Sequence, residues 1–315
     1  MKSRLSFILT LTAVMLLYAT GEMFCQARES AKEVARSNFE IFSLKNLYIP
    51  ESDFEESSSA LKGKFSINML DAGLNVPTLF QDGKTAIVHS LSYQLLEFNR
   101  REALTGGVTA ASSLDDLTAI EYQFLAMHSF SGGRWRWWFT SLHGIYSDRS
   151  GGLSLNDYRL QAALAMERTW ESGAVFGLGL AYSSTFNFPV LPVLTLQTSP
   201  ESALGLDLLL PFNGALVHRI SPNAEIGLAG AIEGNRFNLR QMQGQNIPNE
   251  PDNLRYSVGT FGPRGKFRFA GPCYLVLDAG RTVRHRVEFY NGNSKTGEIE
   301  LENNWFVRIT FNVEL

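Results

Sequence analysis

Apolar and polar residues alternate with a period of two from about residue 61 to the C-terminus, which predicts a series of β-strands. In residues 117–130, Ile120 and Tyr122 fall on one face, and Glu121 and Gln123 fall on the other. The same division recurs in later segments, including 158–168, 174–184 and 224–234. One face is large and apolar throughout, whereas the other is small, polar or charged.

Strand length and the composition of the minor face favour a membrane barrel over a soluble sandwich, which also alternates. The minor face mixes Gly, Ala and Ser with a few Arg and Glu residues, which suits a crowded barrel interior better than a solvated surface. Many strands run to roughly 11–15 residues, whereas strands of soluble proteins usually have about 5–6. Membrane strands need about 9–11 residues plus extensions at the rims.

The last segment, NWFVRITFNVEL, alternates up to the final residue, with Trp305 and Leu315 on the apolar face and Arg308 and Glu314 on the other. Such a strand resembles the terminal signal by which outer-membrane barrels are recognised for insertion. We therefore expect the barrel-assembly machinery to be a partner through this strand. The final Leu departs from the Phe or Trp that more often ends such signals.

Turn spacing predicts an all-β, transmembrane, antiparallel up-and-down β-barrel of about 12 strands, with 10–14 possible. Short connections near 131–133, 171–173 and 221–223 alternate with longer ones near 99–116, 147–156, 241–253 and 290–297, as expected of periplasmic turns and outer loops. About 13 candidate strands result if 62–72 is counted, whereas bacterial barrels close with an even number. Either 62–72 lies outside the barrel, or the region around Pro189, Pro192 and Pro211 is misdivided.

The N-terminus predicts export. Lys2 and Arg4 precede the apolar run LSFILTLTAVMLLY, and small residues lead to a cleavage position after Ala27, which is typical of a signal peptide. The alternatives are a retained anchor, for which the run is short, and a lipoprotein acylated at Cys25. We therefore divide the chain into a signal peptide (1–27), a periplasmic lead-in or linker (28–60) and an outer-membrane barrel (61–315).

Composition narrows the function classes. Cleavage after Ala27 would remove Lys2, Arg4 and Glu22 and shift the formal charge from −3 to −4, so no general attraction to nucleic acid is expected. It would also leave Cys273 without a disulfide partner, and no zinc-ligand spacing is present, so no cofactor or metal is predicted. The aromatic content of 12% suits interfacial girdles.

One stretch carries a family resemblance. FPVLPVLTLQTSPESALGLDLLLPFNGALVHRISPNAEIGLAGAIEGNRFNL resembles a family of predicted bacterial outer-membrane β-barrels of unknown function, most sharply over residues 187–240 and in outline over 60–315. In that family a Pro-rich strand, a short turn, a strand closing in Leu-Pro and a hairpin recur in this order. The resemblance implies a barrel fold and an outer-membrane location, with no catalytic residues to assign.

Charged residues on the minor face are the candidate functional residues. We predict that the following side chains point into the lumen: Glu121, Arg134, Arg136, Arg159, Glu167, Asp207, Glu225, Glu233, Asp278, Arg284, Arg286, Glu288 and Arg308. They form either a polar lining that selects small solutes or a salt-bridged plug that stabilises a narrow barrel. Arg281 and His285 fall on the apolar register and are expected near a rim.

Aromatic residues are expected at the bilayer interfaces, and we assign Trp135, Trp137, Tyr158, Tyr182 and Trp305 to them. Trp138 and Tyr146 are read as girdle residues in the same way. His128 and His143 lie on neighbouring strands close to Ser129 and Ser141, which leaves a lipid-modifying enzyme as the least favoured hypothesis because no orienting group is evident.

Two hypotheses are preferred over the enzyme. The first is a narrow, porin-like pore or uptake barrel for small solutes, and the second is a closed structural or surface-interaction barrel without transport. Outer-membrane lipids are the expected partners in either case. The oligomeric state, the solute and the role of residues 28–60 are left open.

Overall fold

The computed structural model describes residues 40–54, 64–80, 83–100, 116–148, 154–184, 190–239 and 251–314, and shows a single closed antiparallel sheet. Its strands are β1 (Glu40–Asp53), β2 (Lys64–Leu79), β3 (Thr85–Arg100), β4 (Leu117–Phe130), β5 (Trp135–Ser147), β6 (Tyr158–Thr169), β7 (Val175–Ser183), β8 (Val190–Gln197), β9 (Leu204–Leu210), β10 (Asn213–Ser221), β11 (Ala224–Asn238), β12 (Asn253–Ala270), β13 (Cys273–Asn291), β14 (Ser294–Leu301) and β15 (Trp305–Glu314). A 3₁₀ turn, Leu155–Asp157, precedes β6. The predicted signal peptide and residues 28–39 lie outside the described residues, as do most of the predicted loops 99–116, 147–156 and 241–253.

β14 and β15 occupy one position in the wall, so the barrel has 14 strands. Both pair with β13, β14 along Asn291–His285 and β15 along Arg281–Cys273. Between them Asn304 bridges the break, because its peptide N–H donates to Thr282 Oγ1 (2.9 Å) and its carbonyl accepts from the Thr282 N–H (2.9 Å). The two segments are therefore one interrupted strand.

β1 closes the barrel by pairing with β15, from Glu40 opposite Glu314 to Tyr48 opposite Val307. This strand lies inside the stretch that the sequence assigned to a lead-in, and it includes Glu51 and Asp53 from the acidic segment that was taken for a linker. The described part of the segment 62–72, from Lys64 onward, also belongs to the wall, in β2. The observed 14 strands lie within the predicted range of 10–14, two above the expected 12, and β1 supplies the partner that restores an even number.

The connections differ in length at the two ends of the barrel. Turns such as 131–134, 222–223 and 271–272 join strands at one end. At the other end the long connections follow β3 and β11, together with two short turns at 211–212 and 292–293, the second of which replaces the longer loop predicted near 290–297. We name these the inner and outer ends, following the rule that outer-membrane barrels have short periplasmic turns.

The outer end is flattened because β6–β10 end early. β10 pairs with β11 only up to Asn213 opposite Ala231, and β11 then continues for seven residues to Asn238, which pairs with Ser147 of β5. β5 and β11 thus meet although five strands separate them in the sheet. Side chains of β1–β5 pack in the outer half against those of β11–β14.

The barrel exchanges its inside and outside polarity at about mid-height. In the inner half the exterior is apolar, and its exposed side chains include Leu44, Leu74, Leu91, Ile120, Leu164, Leu178, Leu180, Leu216, Leu228, Ile232, Phe261, Leu277, Val307 and Ile309. In the outer half the exterior is polar and carries ion pairs such as Arg255–Glu288 and Arg286–Glu300.

An apolar exterior on a closed barrel matches the hydrocarbon layer of a bilayer, because every backbone group of such a wall is paired within the sheet. The protein is accordingly an outer-membrane barrel, and the polar outer half extends beyond the apolar band. Within the described ranges, no helix is long and apolar enough to cross a membrane.

Candidate functional site

A network of charges, which we call the polar layer, crosses the lumen at mid-height. Arg308 is central: its Nη2 lies 3.0 Å from Glu233 Oε1, and its Nη1 lies 3.2 Å from Asp278 Oδ2. Lys45 Nζ adds contacts of 3.1 Å to Glu233 and 3.2 Å to Asp71. Charges in such a confined site need partners, and these pairs supply them.

The polar layer joins walls that are not neighbours in the sheet. Lys45 lies on β1 and Glu233 on β11, with β15, β13 and β12 between them. Asn235 of β11 also donates from Nδ2 to Gln94 Oε1 of β3 at 2.7 Å. Because these bonds span the lumen, side chains of opposite walls are in direct contact at the height of the polar layer. The space along the barrel axis is narrow where these contacts lie.

Above the polar layer the lumen is filled by apolar side chains, which we call the outer core. Its members are buried to below one tenth of their surface and comprise Leu47, Ile49, Phe54, Phe65, Ile67, Met69, Leu96, Phe98, Leu117, Ala119, Tyr146, Phe237, Leu239, Leu254, Tyr256, Val258, Val287, Phe289, Ile299, Leu301 and Phe306.

Aromatic rings from facing walls meet within the outer core. The rings of Phe98 and Tyr256 are 6.0 Å apart in an edge-to-face arrangement, and those of Tyr146 and Phe237 are 5.7 Å apart. Each buried Phe or Leu stabilises the fold by roughly 1.5–3 kcal/mol. The outer core therefore occupies the outer half of the lumen and holds the facing walls together.

Below the polar layer the lumen is more open and its walls carry charges beside small residues. Arg136 donates from Nε to Glu167 Oε2 at 2.9 Å, and Trp138 Nε1 donates to Glu167 Oε1 at 2.8 Å. On the opposite wall of the lumen, Arg219 Nε of β10 lies 3.2 Å from Glu225 Oε1 of the neighbouring β11. Side chains of Lys45 and Asp71 keep about a quarter of their surface accessible, so solvent-sized space reaches the polar layer from this side.

Small residues face the lumen on β6, β7, β9, β10 and β11 and leave space in the inner half. They include Ala163, Ala165, Gly177, Gly179, Ala181, Gly205, Ala215, Gly227 and Ala229. Among the described residues, no group of three or more His, Cys, Asp or Glu side chains is placed to hold a metal.

Most of the predicted lumen charges face inward in the structure. Glu121 accepts hydrogen bonds from Tyr146 and Ser92, and Asp207 accepts one from Gln197. Those inside or at the mouth of the lumen are Glu121, Arg136, Arg159, Glu167, Asp207, Glu225, Glu233, Asp278 and Arg308. Arg134 lies instead in the exposed inner turn, where it pairs with Glu171, because its strand begins one residue later.

Arg284, Arg286 and Glu288 face the exterior, contrary to the prediction. Gly259 pairs with Arg284 but Thr260 pairs with Thr282, so β13 carries an extra residue, Val283. Such a bulge reverses the alternation beyond it. His285 consequently turns inward and is buried, whereas Arg281, which precedes the bulge, stays outside as expected.

The aromatic residues divide between the two faces. Trp135, Trp137, Tyr158, Tyr182 and Trp305 lie on the exterior, where an interfacial role remains a prediction. Trp138 and Tyr146 point inward and donate to Glu167 and Glu121 respectively, so they are not girdle residues. Because residues 137–139 are all aromatic, the sequence pattern did not show which of them points inward.

The histidines considered for catalysis lie on the lipid-facing exterior. His143 Nδ1 is 2.7 Å from Tyr158 Oη and its Nε2 is 3.3 Å from Ser141 Oγ, while His128 Nδ1 is 3.0 Å from Thr85 Oγ1. Ser129 falls on the opposite face from His128 by alternation. The Tyr158 hydroxyl lies at His143 Nδ1, on the side of the ring where nucleophilic catalysis places the group that orients the base.

Three central charges were missed by the sequence analysis. Lys45 and Asp71 lie in segments that were assigned to the linker or set aside, and Arg264 lies in a long Gly- and Arg-containing strand that was not divided into faces. Arg264 donates to Asp278 at 2.6 and 2.9 Å. Period-two alternation from residue 40 onward would have located Lys45 opposite Leu44.

A family model described as "Domain of unknown function (DUF6268)" matches residues 23–314. Among curated proteins, none matches this sequence. Solved outer-membrane proteins are similar in structure. The COG4313 outer membrane channel from Pseudomonas putida F1 is 9% identical, with 89% of this chain and 97% of that chain covered and a TM-score of 0.45.

Two further solved structures are similar at comparable identity. The TodX deltaS2S3 mutant monoaromatic hydrocarbon channel is 11% identical over 91% of this chain and 92% of its own, with a TM-score of 0.45. The translocator domain of the autotransporter NalP from Neisseria meningitidis is 9% identical over 95% and 97%, with a TM-score of 0.31. These values carry no conclusion about function.

Proposed function

Because the chain belongs to the DUF6268 family of domains of unknown function, which assigns no activity, we propose a function from the lumen itself: a channel, closed at rest, for small solutes of low polarity. The observation that carries this proposal is the change of lining along the axis. The inner half is charged and accessible, whereas the outer half is lined by aliphatic and aromatic side chains.

This lining disfavours ions. An ion that enters the outer core exchanges its hydration for apolar contacts, which is costly without compensating partners. An apolar or weakly polar solute instead replaces one set of apolar contacts by another. The outer half thus selects by polarity, and a porin-like path for small hydrophilic solutes is not favoured.

The contact between β5 and β11 is the place where the outer half can open. β11 has no ladder partner on its β10 side between Glu233 and Phe237 in the described part of the chain, and its ladder pairing with β5 is limited to Asn238 opposite Ser147, beside the ring contact between Tyr146 and Phe237. Two side-chain bonds support this contact: Asn238 donates to Asp157 and Arg159 donates to Asn253, both at 2.6 Å. We call this contact between β5 and β11 the seam. Far fewer hydrogen bonds must break to separate the seam than to separate two strands joined by a full ladder.

A closed structural or surface-interaction barrel is the second candidate, and the tight packing of the outer core favours it. Leu47, Ile49 and Phe237 have no exposed surface, as in the core of a soluble protein. In this alternative the seam never separates.

A disulfide lock across the seam separates the two candidates. Ser147→Cys and Asn238→Cys are introduced together in a Cys273→Ser background, since paired positions in a sheet are close enough for a disulfide. Gram-negative cells that produce the protein are then tested for the uptake rate of N-phenyl-1-naphthylamine, an uncharged apolar fluorophore. Ser147→Cys alone is the matched control, because it has no partner to bond.

We expect the unlocked protein to raise the uptake rate, the oxidised double variant to abolish the increase, and a reductant to restore it. Purified protein in a planar bilayer should be silent. Uptake equal to that of cells without the protein, or unaffected by the lock, would contradict the channel and leave the closed barrel. Steady ohmic steps would contradict closure at rest.

A further inference from the structure

The lipid-facing exterior of β9–β13 and β15 is concave and forms an apolar groove of about 850 Å³. Its walls include Leu216, Leu228, Pro263, Leu277, Val307 and Ile309. Neighbouring backbones approach closely here, since a Cβ on Gly262 would lie 2.0 Å from the Ala279 carbonyl oxygen. A side chain at this position would therefore force the two strands apart.

Two arginines lie above the groove, toward the outer end. Arg281 is four residues beyond Leu277 on β13, and its guanidinium lies 4.9 Å from the ring centre of Trp305. Arg284 follows, and the bulge at Val283 brings it onto the same exterior face. Both arginines are exposed.

Neither arginine has an acidic partner among the residues that the structure describes. Their neighbours differ in this respect, since Arg255 pairs with Glu288, and Arg286 pairs with Glu298 and Glu300. The two unpaired cations therefore mark the border where the apolar exterior gives way to the polar outer half. At this height in a bilayer the groups that meet the wall are lipid headgroups.

We propose that this face binds a phosphate-bearing, multiply acylated lipid of the outer leaflet. One acyl chain lies in the groove, and a phosphate is held by Arg281 and Arg284, with Trp305 at the level of the headgroup. Arginine forks suit phosphate oxygens, and charge complementarity with an apolar groove directly below identifies a lipid rather than a protein surface. The site does not depend on the proposed channel.

Native mass spectrometry of the folded, detergent-solubilised protein tests the proposal. The probes are bis-phosphorylated lipid A and the same lipid without its phosphates. The variants are Arg281→Gln/Arg284→Gln for the phosphate and Leu277→Trp for the groove, with Arg134→Gln in the inner turn as the matched control. The mobility difference between unboiled and boiled samples verifies that each variant folds, and Arg284→Gln alone replaces the double variant if that variant does not.

We expect the wild-type protein and Arg134→Gln to retain phosphorylated lipid A in preference to the dephosphorylated form. The double arginine variant should lose roughly tenfold in retention, in line with the loss of charge-assisted hydrogen bonds. Leu277→Trp should weaken both lipids. Equal retention of the two lipids by the wild type, unchanged retention by the arginine variant, or a dimer without bound lipid would overturn the proposal.

Discussion

Asn235 and Gln94 are 141 residues apart in the chain and belong to opposite walls, yet Asn235 Nδ2 donates a 2.7 Å hydrogen bond to Gln94 Oε1. A round 14-stranded barrel would hold these side chains well apart. Their contact therefore records how far the barrel is flattened at the height of the polar layer.

This cross-lumen bond predicts energetic coupling between the two residues. A double-mutant cycle with Gln94→Ala and Asn235→Ala should give a coupling of about 0.5–1.5 kcal/mol in the free energy of unfolding. The measurement is urea unfolding in phospholipid vesicles, followed by tryptophan fluorescence. Additive effects of the two changes would show that the walls do not touch in the membrane.

Arg308→Gln should destabilise the barrel strongly. The change leaves Glu233 and Asp278 without their central cation, and removal of one partner from a buried pair costs about 3–5 kcal/mol. Arg134→Gln is the control, since its pair with Glu171 is exposed and is expected to contribute about 0–1 kcal/mol. The same unfolding assay compares them. A similar, small effect for both would mean that water screens the polar layer.

Phe289→Ala and Phe261→Ala test the exchange of polarity. Phe289 is 2% exposed in the outer core, whereas Phe261 is 52% exposed on the apolar exterior. In the bilayer, Phe289→Ala should destabilise the fold by about 3–5 kcal/mol because it creates a cavity, and Phe261→Ala should cost clearly less. The unfolding free energies in vesicles decide this, and the reverse order would contradict the inward register beyond the bulge.

Asn304→Ala should loosen the junction between the first and last strands. The Asn304 amide donates to the Glu51 carbonyl oxygen at 2.6 Å and its Oδ1 accepts from the Trp305 N–H at 2.7 Å. Loss of both bonds should cost about 1–3 kcal/mol. Hydrogen exchange should quicken at Trp305 and its neighbours while β4 and β5 stay protected. Uniform protection would show that the ladder alone holds the junction.

The sequence predicted the barrel well because alternation is a local property of each strand. Glu121 and Glu233 were placed inside from their neighbours alone. Arg284 and Arg286 were not, because a one-residue bulge leaves no periodic mark of its own and reverses every position after it.

The contacts that cross the lumen could not be predicted from the sequence, for a different reason. Contacts such as Lys45 with Glu233 depend on how strands distant in the sheet approach, and that approach follows from the short β6–β10. The short strands are visible in the sequence as the Pro-containing region, but their effect on the far wall is not.

The exchange of polarity at mid-height means that one substitution has opposite consequences at two heights of the same strand. On β13, Leu277→Arg would place a charge on the outward, lipid-facing surface. The native Arg286, also outward but closer to the outer end, lies on the polar exterior, where it pairs with Glu298. The inward positions behave the other way around, with charge accepted at Asp278 and excluded at Val287. The residues that a position tolerates thus depend on its height in the barrel as much as on the face to which it points. In the inner half, outward positions accept apolar residues and inward positions accept charge, and in the outer half these preferences are reversed.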